Sequence, residues 1–344
     1  MHPIRKLLLA AVLPLLLLEA LPACAGQEIQ VGPGDDPAAL KSRLRLVPPG
    51  STIRLLSGVF GNGLQLSELR GTPQAPIRIT AAPGASLEGR RDKGAKTFAH
   101  GSGLLLEQSV NVIVEGLTIA GFERGITLGG CQAVTLKGNT IHDVNNFGIM
   151  SYRSNATSIV ANRIERCYAE HGIYISDAAT QIVITDNVIR DTHVNGIHIN
   201  GAVVAPVITG NRLEQTGSFP TKEGGAALTL VGGTTAPMVA HNQFKKIYGQ
   251  GITLAAPNAT IEANTFEACA WSGILGLPQA TGMRLSGNDF RNVGVIPLQL
   301  SQAVIASATA SGNRYSDRVP VCESTDGKRA YSLKDWQGLG KDVR

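Results

Sequence analysis

Tyr168-Ala169-Glu170-His171-Gly172-Ile173-Tyr174-Ile175-Ser176-Asp177 is answered, after a spacer, by Thr192-His193-Val194-Asn195-Gly196-Ile197-His198-Ile199-Asn200-Gly201. Gly172-Ile173-Tyr174-Ile175 returns as Gly196-Ile197-His198-Ile199. Apolar and polar residues alternate in both copies, the period of a strand with one buried face. Two strands alike at a fixed offset read as successive rungs of one stack.

The pattern extends both ways. Gly-Ile pairs stand at Gly125-Ile126, Gly148-Ile149, Gly251-Ile252 and Gly273-Ile274. Between them Asn139, Asn162, Asn187, Asn211, Asn242, Asn264, Asn288 and Asn313 recur at intervals of 22 to 25 residues, with one of 31. Each Asn follows a short, mostly β-branched run such as Val134-Thr135-Leu136. A period in this range, built from strands and turns, marks a solenoid. The predicted fold is all-β: a single-stranded right-handed parallel β-helix with a short N-terminal capping helix. Each Asn is expected to hold a left-handed turn and bond to the Asn of the next coil. Three residues after each Asn stand His142, Glu165, Arg190, Glu214, Lys245, Glu267 and Arg291, whose signs alternate from Glu165 onward. They are expected to pair up one face, as are Asp143, Arg166 and Asp191. Exposed pairs contribute about 0–1 kcal/mol each, so they tune register more than stability.

Composition agrees. Of 344 residues, 40 are Gly, and Lys and Arg exceed Asp and Glu by only five. No basic cluster interleaves with aromatics, so no nucleic-acid partner is expected.

The N-terminus reads as an export signal, residues 1–25. Arg5 and Lys6 precede the apolar run Leu7 to Leu18, and Ala23-Cys24-Ala25 offers a cleavage site. Leu21-Pro22-Ala23-Cys24 loosely resembles a lipobox, which leaves a lipid anchor at Cys24 as the alternative. A periplasmic or secreted location follows, with no membrane span and a monomeric state expected. Residues 26–103 read as cap and first coils; Asp35-Asp36-Pro37 starts a helix over Ala38 to Leu46. Residues 104–316 carry the clear repeat. Residues 317–344 lose it and are expected to cover the open end through Trp336 and Leu333. Cys131, Cys167, Cys269 and Cys322 lack metal-ligand spacing, so buried thiols are expected, with Cys269–Cys322 as the one pairing to consider.

If Ile173 and Ile175 face inward, the outward column reads Met150, Tyr174, His198, Thr229, Thr253 and Leu275. A neighbouring column holds Tyr152, Ser176 and Asn200, and Phe147, His171 and Asn195 stand before the Gly positions. Three adjacent coils thus gather Tyr152, Arg153, Tyr168, Glu170, His171, Tyr174, His193, Asn195, His198 and Asn200 near one patch. Other coils put Thr, Ala and Leu at the matching places. Taken singly, Tyr174 and His198 read as ladder residues; their convergence with Arg153 and His171 makes the patch a candidate site. The long interval adds a loop around Gly217-Ser218-Phe219-Pro220-Thr221-Lys222-Glu223, a wall from which Lys222 could reach a ligand.

The repeat, the Asn ladder and Glu170-His171-Gly172-Ile173-Tyr174-Ile175-Ser176 resemble right-handed parallel β-helix proteins of the pectate-lyase-like superfamily. The opening module, Pro49-Gly50-Ser51-Thr52-Ile53-Arg54-Leu55 and Gly71-Thr72-Pro73-Gln74-Ala75-Pro76-Ile77, is similar to the start of β-helix alginate and chondroitin lyases. The resemblance covers about residues 30 to 316 and implies an acidic polysaccharide bound across the parallel sheet.

Hydrolysis on such a fold needs clustered carboxylates, and the patch offers only Glu170 and Asp177. Calcium-assisted elimination needs several carboxylate oxygens at one place; no clear cluster is evident, so no metal or other cofactor is expected, with calcium kept as the alternative. Elimination without a metal remains, with C5 epimerisation of a polyuronate, or a non-catalytic role as a glycan-binding or periplasmic β-helix accessory protein, as alternatives. The expected roles are His198 or His171 as base, Tyr174 as acid and Arg153 neutralising the uronate carboxylate. Asn195, Tyr152, Asn200, His193, Glu170 and Lys222 are expected to bind substrate.

Overall fold

A computed structural model describes residues 26–89, 98–217, 225–316 and 320–343. The expected export signal, Lys222 and most of the inserted loop lie outside the described residues. The rest winds as a right-handed β-helix whose coils contribute strands to three parallel sheets of 12, 12 and 11 strands. Among the described residues one antiparallel pairing joins Cys322–Ser324 to Ala330–Tyr331 at the C-terminal end.

Register follows the repeat. Ile173 pairs with Ile197, Tyr174 with His198, Ile175 with Ile199 and Ser176 with Asn200. All four isoleucines are fully buried, so the interior is a stack of like side chains and the outer face carries the variable column. The glycines of the Gly-Ile pairs stand where coils pass closest. A Cβ on Gly172 would meet the Gly196 carbonyl oxygen at 2.6 Å and Ile189 Cγ2 at 2.6 Å.

The Asn ladder forms inside one corner. Asn162 Nδ2 donates to Asn187 Oδ1 at 3.0 Å, Asn187 Nδ2 to Asn211 Oδ1 at 2.9 Å, and so on to Asn313. The left-handed residue, however, is the one before each Asn: Ala161 at φ 53°, Asp186 at 56°, His241 at 57° and Ala263 at 51°. A non-Gly residue there costs about 1–2 kcal/mol. The buried amide behind it, which binds two coils, offsets that cost. His241 is thereby a turn residue.

The charge column pairs less regularly than its signs suggest. Glu165 meets Arg190 across coils at 2.9 Å and Lys245 meets Glu267 at 3.4 Å. Glu214 turns to Arg212 and Arg291 to Asp289 within their own strands. Local partners two residues away win because they order less chain.

Both ends are covered. The N-terminal helix spans Pro37–Leu44, with Asp36 Oδ1 accepting from Ala39 N at 2.7 Å, and buries Leu40 and Leu44. It stops short of Leu46, which is exposed. At the other end Trp336 is buried, while Leu333 is 40% exposed and contributes little to the cover. Cys269 and Cys322 are free, as are Cys131 and Cys167, and all four are buried; the pairing considered above does not form. No described helix is long and apolar enough to cross a membrane.

Candidate active site

On the outer face of the sheet that contains Ile173–Ser176, parallel pairing stacks one residue per coil. Leu105, Thr127, Met150, Tyr174, His198, Thr229, Thr253 and Leu275 form a single column. Beside it run Ser102, Arg124 and Phe147, followed by His171 and Asn195 one and two coils on. Coils rise about 4.8 Å each, so like positions on neighbouring coils touch.

Four rings pack together there. Phe147 stacks on Tyr174 with centroids 5.1 Å apart, and Tyr174 lies 5.3 Å from His198. His171 Nε2 and His198 Nδ1 share a hydrogen bond of 2.8 Å. His171 is buried, with Asn195 Nδ2 at 3.5 Å from its Nδ1 and Glu170 Oε2 at 3.6 Å from its Nε2. Desolvation, with the His198 ring as a second cause, lowers the His171 pKa to about 3. Desolvation lowers that of His198 to about 4. Both imidazoles are therefore neutral near pH 7; the half-exposed Glu170 does not outweigh burial.

The structure thus brings together His171, Tyr174, His198, Asn195 and Glu170, but gives them unequal access. His171 spends one ring nitrogen on His198 and presents the other to Asn195 beneath the surface, so it supports His198 instead of meeting a substrate as a base. Asn195 is buried and also ties its coil to the next one: its Oδ1 accepts from Ala226 N at 2.9 Å and Thr229 Oγ1 at 3.0 Å. Arg153 sits beyond the strand end at φ 50°, largely exposed, with Nε 3.8 Å from Asp177 Oδ2. Asp177 also lines the cavity described next, so Arg153 stands at its rim with a carboxylate already beside its Nε. His193 lies at the turn entering the Ile197–Asn200 strand, Asn200 is exposed at that strand's end, and Tyr168 donates to Asp143 Oδ1 at 2.6 Å.

Next to the rings a cavity of about 470 Å³ opens on the same sheet. Tyr152 and Met150 line it, with Arg124, Thr127, Glu107 and Asp177. Tyr152 leans across the preceding coil because Gly129 there has no side chain; a Cβ would stand 2.5 Å from Tyr152 Oη. Arg124 has a buried Nε without a hydrogen-bond partner among the described residues, while its Nη2 meets Glu123 at 3.3 Å. Neither Arg124 nor Glu107 was singled out from the sequence. Following the Phe147 column one coil toward the N-terminus finds Arg124.

Two family models match: the right-handed beta helix region over residues 94–244, and the periplasmic copper-binding protein (NosD) over residues 172–317. Among the described residues no three His, Cys, Asp or Glu side chains converge as a metal group. His171 and His198 also spend a nitrogen each on one another, so the described residues do not fit a copper ion. A direct comparison with curated protein sequences finds no match. Among solved structures, an alginate lyase from Paenibacillus sp. is 19% identical, with a TM-score of 0.55 over 84% of this chain and 99% of that one. A DFA-IIIase from Arthrobacter chlorophenolicus A6 is 14% identical, with a TM-score of 0.59 over 88% and 92%. A polygalacturonase from Erwinia carotovora ssp. carotovora is 11% identical, with a TM-score of 0.56 over 87% and 96%. At these identities the likeness is one of fold.

Proposed function

Given that the chain folds as a right-handed parallel β-helix, we propose that it is an exported lyase acting on a uronic-acid polysaccharide. The observation that carries this reading is the contact of Tyr174 with His198 on the outer face, beside a cavity lined by Arg124 and Tyr152. β-Elimination breaks the C5–H and C4–O bonds, forms a C4–C5 double bond and passes a proton to the leaving oxygen. It needs a group that exchanges that proton and donors that hold the charge growing on the carboxylate. Tyr174 and His198 fill these needs between them, and Arg124 in the cavity, with Arg153 at its rim, supplies guanidinium to the polymer's carboxylates. The family described as periplasmic and the signal-like N-terminus support an extracytoplasmic location.

The test is an activity screen on alginate, pectate and glycosaminoglycans, read by the ultraviolet absorbance of unsaturated products. Wild-type protein should generate absorbance on at least one polymer, and Tyr174→Phe should lose about a hundredfold or more. Reducing ends without absorbance would replace elimination by hydrolysis at Glu107 and Asp177, the two carboxylates that line the cavity. Inverted C5 centres in unshortened polymer would replace it by epimerisation, and binding without turnover by a glycan-binding role.

A further inference from the structure

The hydrogen bonds around Asn195 determine which nitrogens of the two imidazoles carry protons. Ala226 N–H can only donate, and it donates to Asn195 Oδ1 at 2.9 Å. The Thr229 hydroxyl donates to the same oxygen at 3.0 Å. The amide therefore cannot be turned over without setting its NH2 against a backbone N–H. Its Nδ2, two donors and no acceptor, faces His171 Nδ1 at 3.5 Å. A proton on that nitrogen would have no acceptor in a buried place, which costs about 1–3 kcal/mol. On the other side of the ring, the Glu170 carboxylate lies 3.6 Å from His171 Nε2 and favours a proton there. His171 Nε2–H then donates to His198 Nδ1 at 2.8 Å. With Nδ1 accepting, a neutral His198 holds its own proton on Nε2.

We infer that Asn195 is a positioning residue that locks the relay in this sense, so that His198 offers the groove a neutral N–H donor and not a lone pair. On this assignment His198 is not the base that the sequence reading expects. A substrate oxygen gaining negative charge suits such a donor, for instance the carboxylate of a uronate as its C5 proton leaves. Proton exchange then falls to Tyr174, which as a phenolate takes the C5 proton onto its Oη and returns it to the C4 oxygen as the C4–O bond breaks. The assignment of roles rests on the elimination reading above; the tautomers do not.

Protein labelled with 15N-histidine, examined at pH 7 by two-bond 15N–1H correlation, reads each tautomer directly, with His171→Gln and His198→Gln for assignment. Both rings should show Nε2–H. A Nδ1–H tautomer at His198 would overturn the proposal, whatever the protein does to polysaccharides. Asn195→Asp places an acceptor beside His171 Nδ1 and should put a proton there; an Nδ1 still bare in that variant would also overturn it. Where cleavage is detected, His198→Gln, which donates but cannot act as a base, should stay within about tenfold of wild type. His198→Ala should lose about a hundredfold or more. Equal losses in the two would return proton abstraction to His198.

Discussion

The His171–His198 pair links local packing to acid stability. The folded-state values of about 3 and about 4 lie below the ordinary imidazole value near 6.5. As pH falls the unfolded chain takes up these protons first, so the pair's contribution is complete above about pH 6.5. It is lost from there down through about 4 and then about 3. At roughly 1.4 kcal/mol per unit and per group, the loss reaches on the order of a few kcal/mol. Thermal midpoints recorded between pH 7.5 and 4 should fall more steeply for wild type than for a His171→Gln/His198→Gln double variant. Parallel slopes would show that the two rings take up protons in the folded protein as readily as in the unfolded one. Asp143 acts in the same direction at lower pH, because Arg166, Tyr168 and His142 bond to its carboxylate and hold its pKa far down. It is common to both proteins and cancels in the comparison.

Two glycines show what a strand of this solenoid tolerates. Gly172→Ala drives its Cβ into the backbone of the next coil and into Ile189, neither of which can move alone. It should lower unfolding stability by about 1–3 kcal/mol, read as a shift in denaturation midpoint. Gly129→Ala meets only the far end of the Tyr152 ring. It should leave the midpoint near wild type while weakening oligosaccharide binding, since Tyr152 must leave the cavity. The opposite ranking would mean that the coils are spaced more loosely than described. Gly172 was legible from sequence because Gly-Ile recurs; Gly129 was not, because its role depends on a tyrosine one coil later. The same logic covers the rest. The columns through Tyr174 and His198 follow from alternation and period. The earliest coils, with Ile53 and Ile79 in the core, lack the Asn marker that revealed the later ones. Arg124 is not legible because its coil precedes Asn139, the first residue of the Asn ladder, and the left-handed backbone at Arg153 leaves no mark on the repeat.

At the scale of the whole molecule, the Asn ladder ends on a residue of another kind. Asp342 Oδ1 takes the place of the next Asn, accepting from Asn313 N at 2.9 Å and Asn313 Nδ2 at 2.8 Å. Its Oδ2 accepts from Tyr315 Oη at 2.7 Å and Trp336 Nε1 at 3.0 Å. Asp342→Ala leaves four donors in need of partners. Because each coil leans mainly on its neighbours, the damage should stay local. Amide exchange should quicken around Asn313 and leave the strand of His198 protected. Loss of protection along the entire chain would mean that the solenoid unfolds as one unit.

The amides of this ladder all point one way, oxygen toward the earlier coil and nitrogen toward the later. Small dipoles laid head to tail add up, as peptide units do along a helix. Their positive pole emerges under the last coil, where the Asp342 carboxylate meets it. The rod is therefore polarised along its length but electrically quenched at that tip. A second rod set against it would find no exposed pole there to extend the row.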